Sequence, residues 1–563
     1  MRSTRVGVPA AVVIAIAGSV AGLTSGSIRT DVEMGLPRPE RSRGQARLEA
    51  AANSQIPASR FVVIVSDLHL GAGKSASGEW LPIEDFRWQA DLASFLKAID
   101  EAGKGATDLV LNGDTFELWQ STGNDCRPPD ARLGCTEKEA VARLESVLAG
   151  HPADLSALGT FARNAANRLI LVPGDHDAAL LFPSVATRAV ASFNAPGRVE
   201  VATRGYWLSD DGAVYAEHGH QMPGDPYAFA SWPQPFVRGD DGARLERTAG
   251  ERVAQALYND LESRFPILDN FAQEGAGLKY IGGADPAALP ADAIQPLLTF
   301  FHARPTWQQF RLELDGGDVQ PPEWDLQAVR RSGPSLLAES LLPDDRFRPI
   351  VDRALSEGKL SLDPATFTDT QLIAMCDYRA ALRRSRRRLE RSMTQAPTTG
   401  RALTECPRTP ATRGSAFDYF WRSRDDLMVS GVERVRATLA ADKKPAQSIK
   451  VVALAHTHLA AVPLPLARRD AVPVVVNSGA WQRTVTPFQI EEVMQERGWS
   501  ESDVLRQLRL EDLPACYGVI WIEPYSSDPK PRLRFWRPDG RWGTLPRDAA
   551  GMANACGGGG PAA

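Results

Sequence analysis

The chain has 563 residues, a formal net charge of −5, 43% hydrophobic residues and 24% charged residues. That composition suits a soluble globular protein with a sizeable core, and the length is enough for several domains. The slightly acidic balance gives no ground for nucleic acid as the main partner.

At the start, Arg2 and Arg5 precede an apolar run of small residues over 6–23, and Ser19-Val20-Ala21 offers a cleavage site. Segment 1–27 reads as an export signal or as an uncleaved anchor, because the run approaches the ~20 residues that a membrane span requires. Both readings put the bulk of the chain outside the cytoplasm: periplasmic, secreted or membrane-anchored. The second implies membrane association through the N-terminus. Segment 28–59 is polar, holds Pro37, Pro39 and Pro57, and reads as a linker.

The apolar run 61–65 predicts a buried parallel strand that delivers Ser66-Asp67-Leu68-His69-Leu70. If the backbone stays extended there, Asp67 and His69 point to one side and can grip one metal ion. After a Gly/Ser-rich loop over 71–78, Phe86, Ala90, Leu92, Phe95, Leu96 and Ile99 mark an amphipathic helix. A second strand over 109–111 runs into Asn112-Gly113-Asp114-Thr115-Phe116-Glu117-Leu118-Trp119. Thr136 and Glu139 form a capping box that opens a helix through Val147, and another helix is expected over 155–167. A third strand, 169–172, delivers Pro173-Gly174-Asp175-His176-Asp177, and a fourth, 213–216, leads into Glu217-His218-Gly219-His220.

From about 232 to 447 the periodicity is mostly helical, with many proline breaks and candidate helices at 257–265, 294–301 and 372–393. This predicts a large helical insertion over 235–448, a cap near the site. Its arginines, Arg379, Arg383, Arg384, Arg386, Arg387, Arg388 and Arg391, form a solvated helix face or attract an anionic substrate or headgroups. Strands resume at 451–454, ending in Ala455-His456-Thr457-His458, and at 472–476, before Asn477-Ser478-Gly479. Segments 518–523 and 533–536 are expected as closing antiparallel strands, and 551–563 as a disordered tail.

None of the six cysteines has C-x-x-C spacing. Cys126 and Cys135 would close a short loop as a disulfide, with free buried thiols as the alternative. Of the eight histidines, six follow apolar runs: His69, His176, His218, His220, His456 and His458. Two-metal hydrolysis uses carboxylates and imidazoles around ions roughly 3.5–4 Å apart, with one bridging carboxylate and a deprotonated water between the ions as nucleophile.

In order, Asp67-x-His69, Gly113-Asp114, Gly174-x-His176-Asp177, His218 and His456-x-His458 resemble the motif series of calcineurin-like metallophosphoesterases. The resemblance covers roughly 60–234 and 449–538 and omits the insertion, so the framework domain is expected over 60–234 and 449–550. It implies an α/β protein, a four-layer α/β/β/α sandwich, with a dinuclear centre of Mn, Fe or Zn. Asp67, His69 and His458 would hold the first metal, and Asp175, His218 and His456 the second, with Asp114 bridging. His176, paired with Asp177, would contact the phosphoryl group and protonate the leaving oxygen, and His220 would sit behind the ligands or touch substrate. The family usually has Asn where Asp175 stands and Gly where Ala455 stands. Gly-Asp-Thr-Phe-Glu-Leu-Trp is also similar to the UDP-diacylglucosamine hydrolase branch, which usually carries Arg at the position of His176.

The expected function is hydrolysis of a phosphomonoester or phosphodiester of a small or lipid-linked substrate. The alternatives are a pyrophosphatase on a nucleotide-sugar or lipid head group, and a non-catalytic metal-binding envelope protein. Glu117 and Trp119 are expected as packing or supporting residues, Asn477 as a backbone-shaping one.

Overall fold

The computed structural model describes residues 60–120, 126, 133–222, 225, 227–271, parts of 277–289, 325–331, 348–358, 372, 376, 434–442, 449–458, 460–464, 473–485, 487–515 and 517–543. The expected leader, linker and tail, the helix at 294–301 and the arginine cluster of 379–391 lie outside the described residues. Of the expected helix 372–393, only Leu372 and Cys376 are described.

The fold is mixed α/β. The first sheet has seven strands in the order β15-β14-β13-β1-β2-β4-β5. Its parallel part is β1 (Phe61–Val65), β2 (Thr107–Asn112), β4 (Arg168–Val172) and β5 (Val199–Val201). The antiparallel strands β13 (Tyr517–Ile522), β14 (Arg532–Trp536) and β15 (Trp542–Gly543) close one edge. The second sheet has the order β11-β12-β10-β7-β6. Here β7 (Val214–Ala216), β10 (Val451–Leu454) and β12 (Val474–Asn477) are parallel, flanked by antiparallel β6 (Trp207–Leu208) and β11 (Ala461–Leu464).

Period-two alternation decides which residues each face buries. Val62, Ile64, Val110, Ile170, Val172 and Ile520 meet Trp207, Val214, Ala216, Val451, Ala453 and Val476 in a core between the two sheets. The intervening residues Phe61, Val63, Val65, Leu109, Leu111, Leu169 and Leu171 belong to a second core with the helices. A one-residue slip of β1 would exchange the two sets, which fixes its register. On the other side, Tyr215, Val452, Leu454 and Val475 pack with Val435 and Leu439 of helical residues 434–441.

The helices covering the first sheet follow from local sequence. In α1 (Gln89–Gly103), Leu92, Phe95, Leu96 and Ile99 form the buried stripe, and left-handed Lys104 ends the helix by donating its N–H to Asp100 O and Glu101 O. The Thr136–Glu139 capping box opens α2 (Glu137–Gly150), and Pro152 sits in the first turn of α3 (Pro152–Arg163).

The stretch after 234 does not start helical, unlike the insertion expected over 235–448. It opens with a hairpin, β8 (Phe236–Gly239) and β9 (Gly242–Glu246), and β9 also pairs with β3 (Leu133–Thr136) to make a third sheet. Its turn uses Gly242 at φ +121°. Arg238, Asp240, Asp241, Arg244 and Glu246 make the segment so polar that no strand alternation shows. A helical run follows over 249–262, with a π turn at Ala254–Tyr258.

Candidate metal centre

β1, β2 and β4 are parallel in one sheet, β7 and β10 in the other, and the candidate residues all stand just past their C-terminal ends. The loops after β1 and β2 stay zipped beyond the strands: Asp67 N donates to Gly113 O at 3.1 Å, and His69 N to Asp114 O at 2.9 Å. The backbone is not extended there, contrary to the expectation for Asp67 and His69. Asp67 (φ 54°), His69 (φ 49°), Asp114 (φ 50°), His456 (φ 68°) and His458 (φ 54°) are all left-handed. Asp and His tolerate this region better than most residues, yet each such placement costs energy that the surroundings must hold. The shared aim of Asp67 and His69 thus comes from two consecutive loop turns rather than from strand pleating.

The structure brings the predicted residues into three adjoining groups that could hold a metal ion: Asp114, Asp175, His218 and His456; Asp67, His69 and His458; and His69, Asp114 and His176. His218 Nε2 lies 2.9 Å from Asp114 Oδ2 and 3.0 Å from Asp175 Oδ1, and His456 Nδ1 lies 3.1 Å from Asp175 Oδ1. His458 Nε2 is 3.3 Å from Asp67 Oδ1, and His69 Nε2 is 3.8 Å from Asp114 Oδ2.

The donor set fits a cation. Both carboxylate oxygens of Asp67 and of Asp175, His69 Nε2 and His218 Nε2 are buried with no hydrogen-bond partner. Buried polar atoms left unpaired cost about 1–3 kcal/mol each, more when charged. The rings are also oriented for ligation. His218 Nδ1 is 2.9 Å from the carbonyl of Asn112, which only accepts, so Nδ1 carries a proton and Nε2, aimed at the carboxylates, is the nitrogen left to bind a metal. His456 turns Nε2 to Asp225 at 3.2 Å and Nδ1 to Asp175. Burial works against charge on Asp175, but His456 and His218 hold its carboxyl well below the usual range.

Two glycines of the motifs are explained by close approach. A Cβ on Gly113 (φ +91°) would run into the His218 ring, and one on Gly174 into Asp114 Oδ1.

Asp177 does not pair with His176. It is fully buried and accepts from Thr115 N at 2.8 Å, Phe116 N at 3.3 Å and Gly174 N at 2.7 Å. It thereby ties the loop after β4 to the loop that carries Asp114. Burial, then the nearby Asp114, pushes its carboxyl up to about 7. The partner of His176 is Glu117, whose Oε2 is 2.5 Å from His176 Nδ1. Burial lowers the His176 pKa, but Glu117 and Asp114 outweigh it and hold the imidazole well above its ordinary value. Trp119 stacks on the His176 ring at 3.9 Å between centroids. Glu117 was visible in sequence as a carboxylate between Phe116 and Leu118, an unusual place for a charge that has no partner. Asp225 had no such signal.

His220 belongs to none of the three groups. It is buried against Trp232 and Phe229, its Nδ1 is 3.9 Å from Asp175 Oδ1, and burial pushes its imidazole down to about 3. Asn477 shapes backbone, as expected, donating to Ala455 O and accepting from Gly479 N.

A cleft of about 100 Å³ opens over the centre, lined by His69, Asp114, Asp175, His176, His456 and His458. Val253, Ala254, Tyr258, Asn259 and Glu262 of the π-containing helical run border it, so the start of the 235–448 stretch does reach the site. No family model and no curated protein matches this chain.

Proposed function

We propose that this protein is a dinuclear metal-dependent phosphoesterase that hydrolyses a phosphomonoester or phosphodiester of a small or lipid-linked molecule. The observation that carries the reading is the position of Asp114, within reach of both His218 and His69 and so between the two ligand groups. Asp67, His69 and His458 would hold one ion, Asp175, His218 and His456 the other, and Asp114 would touch both. Two divalent cations, Mn, Fe or Zn by donor type, would polarise phosphoryl oxygens and activate water near neutral pH. His176 lines the cleft with its Nδ1 committed to Glu117. That leaves Nε2 to contact the phosphoryl group and give a proton to the leaving oxygen, while Glu117 favours the protonated ring.

Two sheets sharing an inner core, with helices on both outer faces, support the four-layer α/β/β/α reading. The Cys126–Cys135 disulfide supports an oxidising compartment outside the cytoplasm. The test uses purified protein with added Mn, p-nitrophenyl phosphate and its bis ester. Hydrolysis with about two equivalents of bound metal is expected, and Asp114→Ala should lower turnover at least ~100-fold. Turnover that survives this change, or metal-loaded protein with no turnover, overturns the reading.

A further inference from the structure

We infer that the cleft binds a primary ammonium group beside the metal centre, held by Asp85, Gln120, Glu262 and Asp269. Under the phosphoesterase reading, on which this step rests, the ammonium belongs to the substrate, an aminoalkyl phosphoester.

All four residues line the same cleft as His69, Asp114 and His176. Asp85 is 8% exposed, Glu262 4% and Gln120 9%, so these are interior groups rather than a solvated acidic face. Gln120 Nε2 donates to Glu262 Oε2 at 3.3 Å, which places the amide at the acidic cluster. Its other atom, Oε1, is buried with no partner, as is Asp269 Oδ1. Glu262 and Asp269 bond each other, so what stays unmet at this end of the cleft is two acceptors, Gln120 Oε1 and Asp269 Oδ1. An acceptor takes an N–H or O–H donor, and three carboxyls together favour a donor that is cationic, which an ammonium supplies.

No lysine or arginine is among the lining residues, and the imidazoles that face this end, His69 and His176, are both engaged by Glu117. Arg87 also acts on Asp85, but its donors go to Leu81 O, Glu84 O and Glu511. Burial and mutual repulsion push the Asp85 and Glu262 carboxyls well up, the state that an incoming cation would reverse. Leu268 and Phe271, both buried, add an apolar wall suited to a short alkyl stem. The cluster also lies close to the chemistry, because Asp269 lines the same cleft as Glu117, His69 and His176.

The experiment compares kcat/KM for O-phosphoethanolamine with that for n-propyl phosphate, in which a methyl replaces the ammonium, using Mn-loaded full-length protein. A preference of about tenfold or more for the amine is expected, the size of one charge-assisted hydrogen bond. Asp85→Asn and Glu262→Gln should each bring the ratio towards one, with circular dichroism checking the fold. A wild-type ratio of one overturns the inference, while hydrolysis of p-nitrophenyl phosphate in the same preparation leaves the phosphoesterase reading standing. If no ester is hydrolysed, that reading falls, and calorimetric titration of n-propylammonium into metal-free protein decides the rest. Binding that exceeds that of n-propanol, and is lost in Asp85→Asn, sustains the ammonium site. Equal heats, or Ca²⁺ binding there in place of the amine, overturn it.

Discussion

Glu117 Oε2 sits 2.5 Å from His176 Nδ1, and the same oxygen is 3.0 Å from His69 Nδ1. One carboxylate therefore orients a proposed metal ligand and the proposed proton donor together. In Glu117→Gln the amide keeps one acceptor and gains a donor, so the two imidazoles can no longer share it in the same tautomers. Metal affinity and kcat should each fall by about 10–100-fold, as measured by metal titration and steady-state kinetics. A variant with normal metal affinity and normal kcat would remove Glu117 from this role.

Gly174→Ala places a methyl against Asp114 Oδ1 and the Asp114 backbone nitrogen. The loop after β4 must shift, and Asp175 shifts with it. The variant should fold, because the two hydrophobic cores are untouched, but should lose most bound metal. Elemental analysis beside circular dichroism checks this; full metal content would show that the close approach is not needed.

His151 is fully buried, with Nδ1 3.1 Å from Asp154 Oδ2 and Nε2 3.3 Å from Glu84 Oε2. Burial pulls its pKa down, but Asp154 and Glu84 prevail and raise it from 6.5 to about 9. A group raised on folding contributes stability that is complete below its unfolded pKa and is lost as pH rises through its folded one. The pair of values corresponds to about 3 kcal/mol. Urea midpoints should fall between pH 6.5 and pH 9 in the wild type, and His151→Gln should flatten that decline. Parallel declines in both proteins would place the titration elsewhere.

The Cys126–Cys135 disulfide closes a loop with a sequence separation of 9. Chain-entropy arguments give such a short loop about 2–3 kcal/mol. Replacing both cysteines with serine should lower the thermal midpoint by several degrees, roughly 2–4 °C for each kcal/mol in a large domain. An unchanged midpoint would mean that β3 and β9 hold the loop without it.

The sheet framework and most of the candidate metal-binding residues were legible because each depends on local pattern. Apolar runs such as 61–65 and 451–454 are buried throughout, so they stand out as strands without alternation. Asp or His at the end of each run then marks one rim. The β8–β9 hairpin was not legible, because its strands carry charged residues on a half-exposed sheet. The partner of His176 was misread for a related reason. Adjacency in sequence favoured Asp177, but three backbone N–H groups claim that carboxylate. Glu117 reaches the ring only because β2 and β4 are neighbours in the sheet. Asp225 and the acidic end of the cleft depend wholly on tertiary placement, which no local pattern encodes.

The left-handed torsions at Asp67, His69, Asp114, His456 and His458 limit how the site could be redesigned. Retuning the centre towards a softer ion would ordinarily mean exchanging imidazole for thiolate. Cysteine at 69, 456 or 458 would have to enter a backbone region that favours Gly, Asn, Asp and His. Such an exchange would meet resistance from the main chain before coordination chemistry came into question. The repertoire of workable donors is set by torsion angle as much as by affinity.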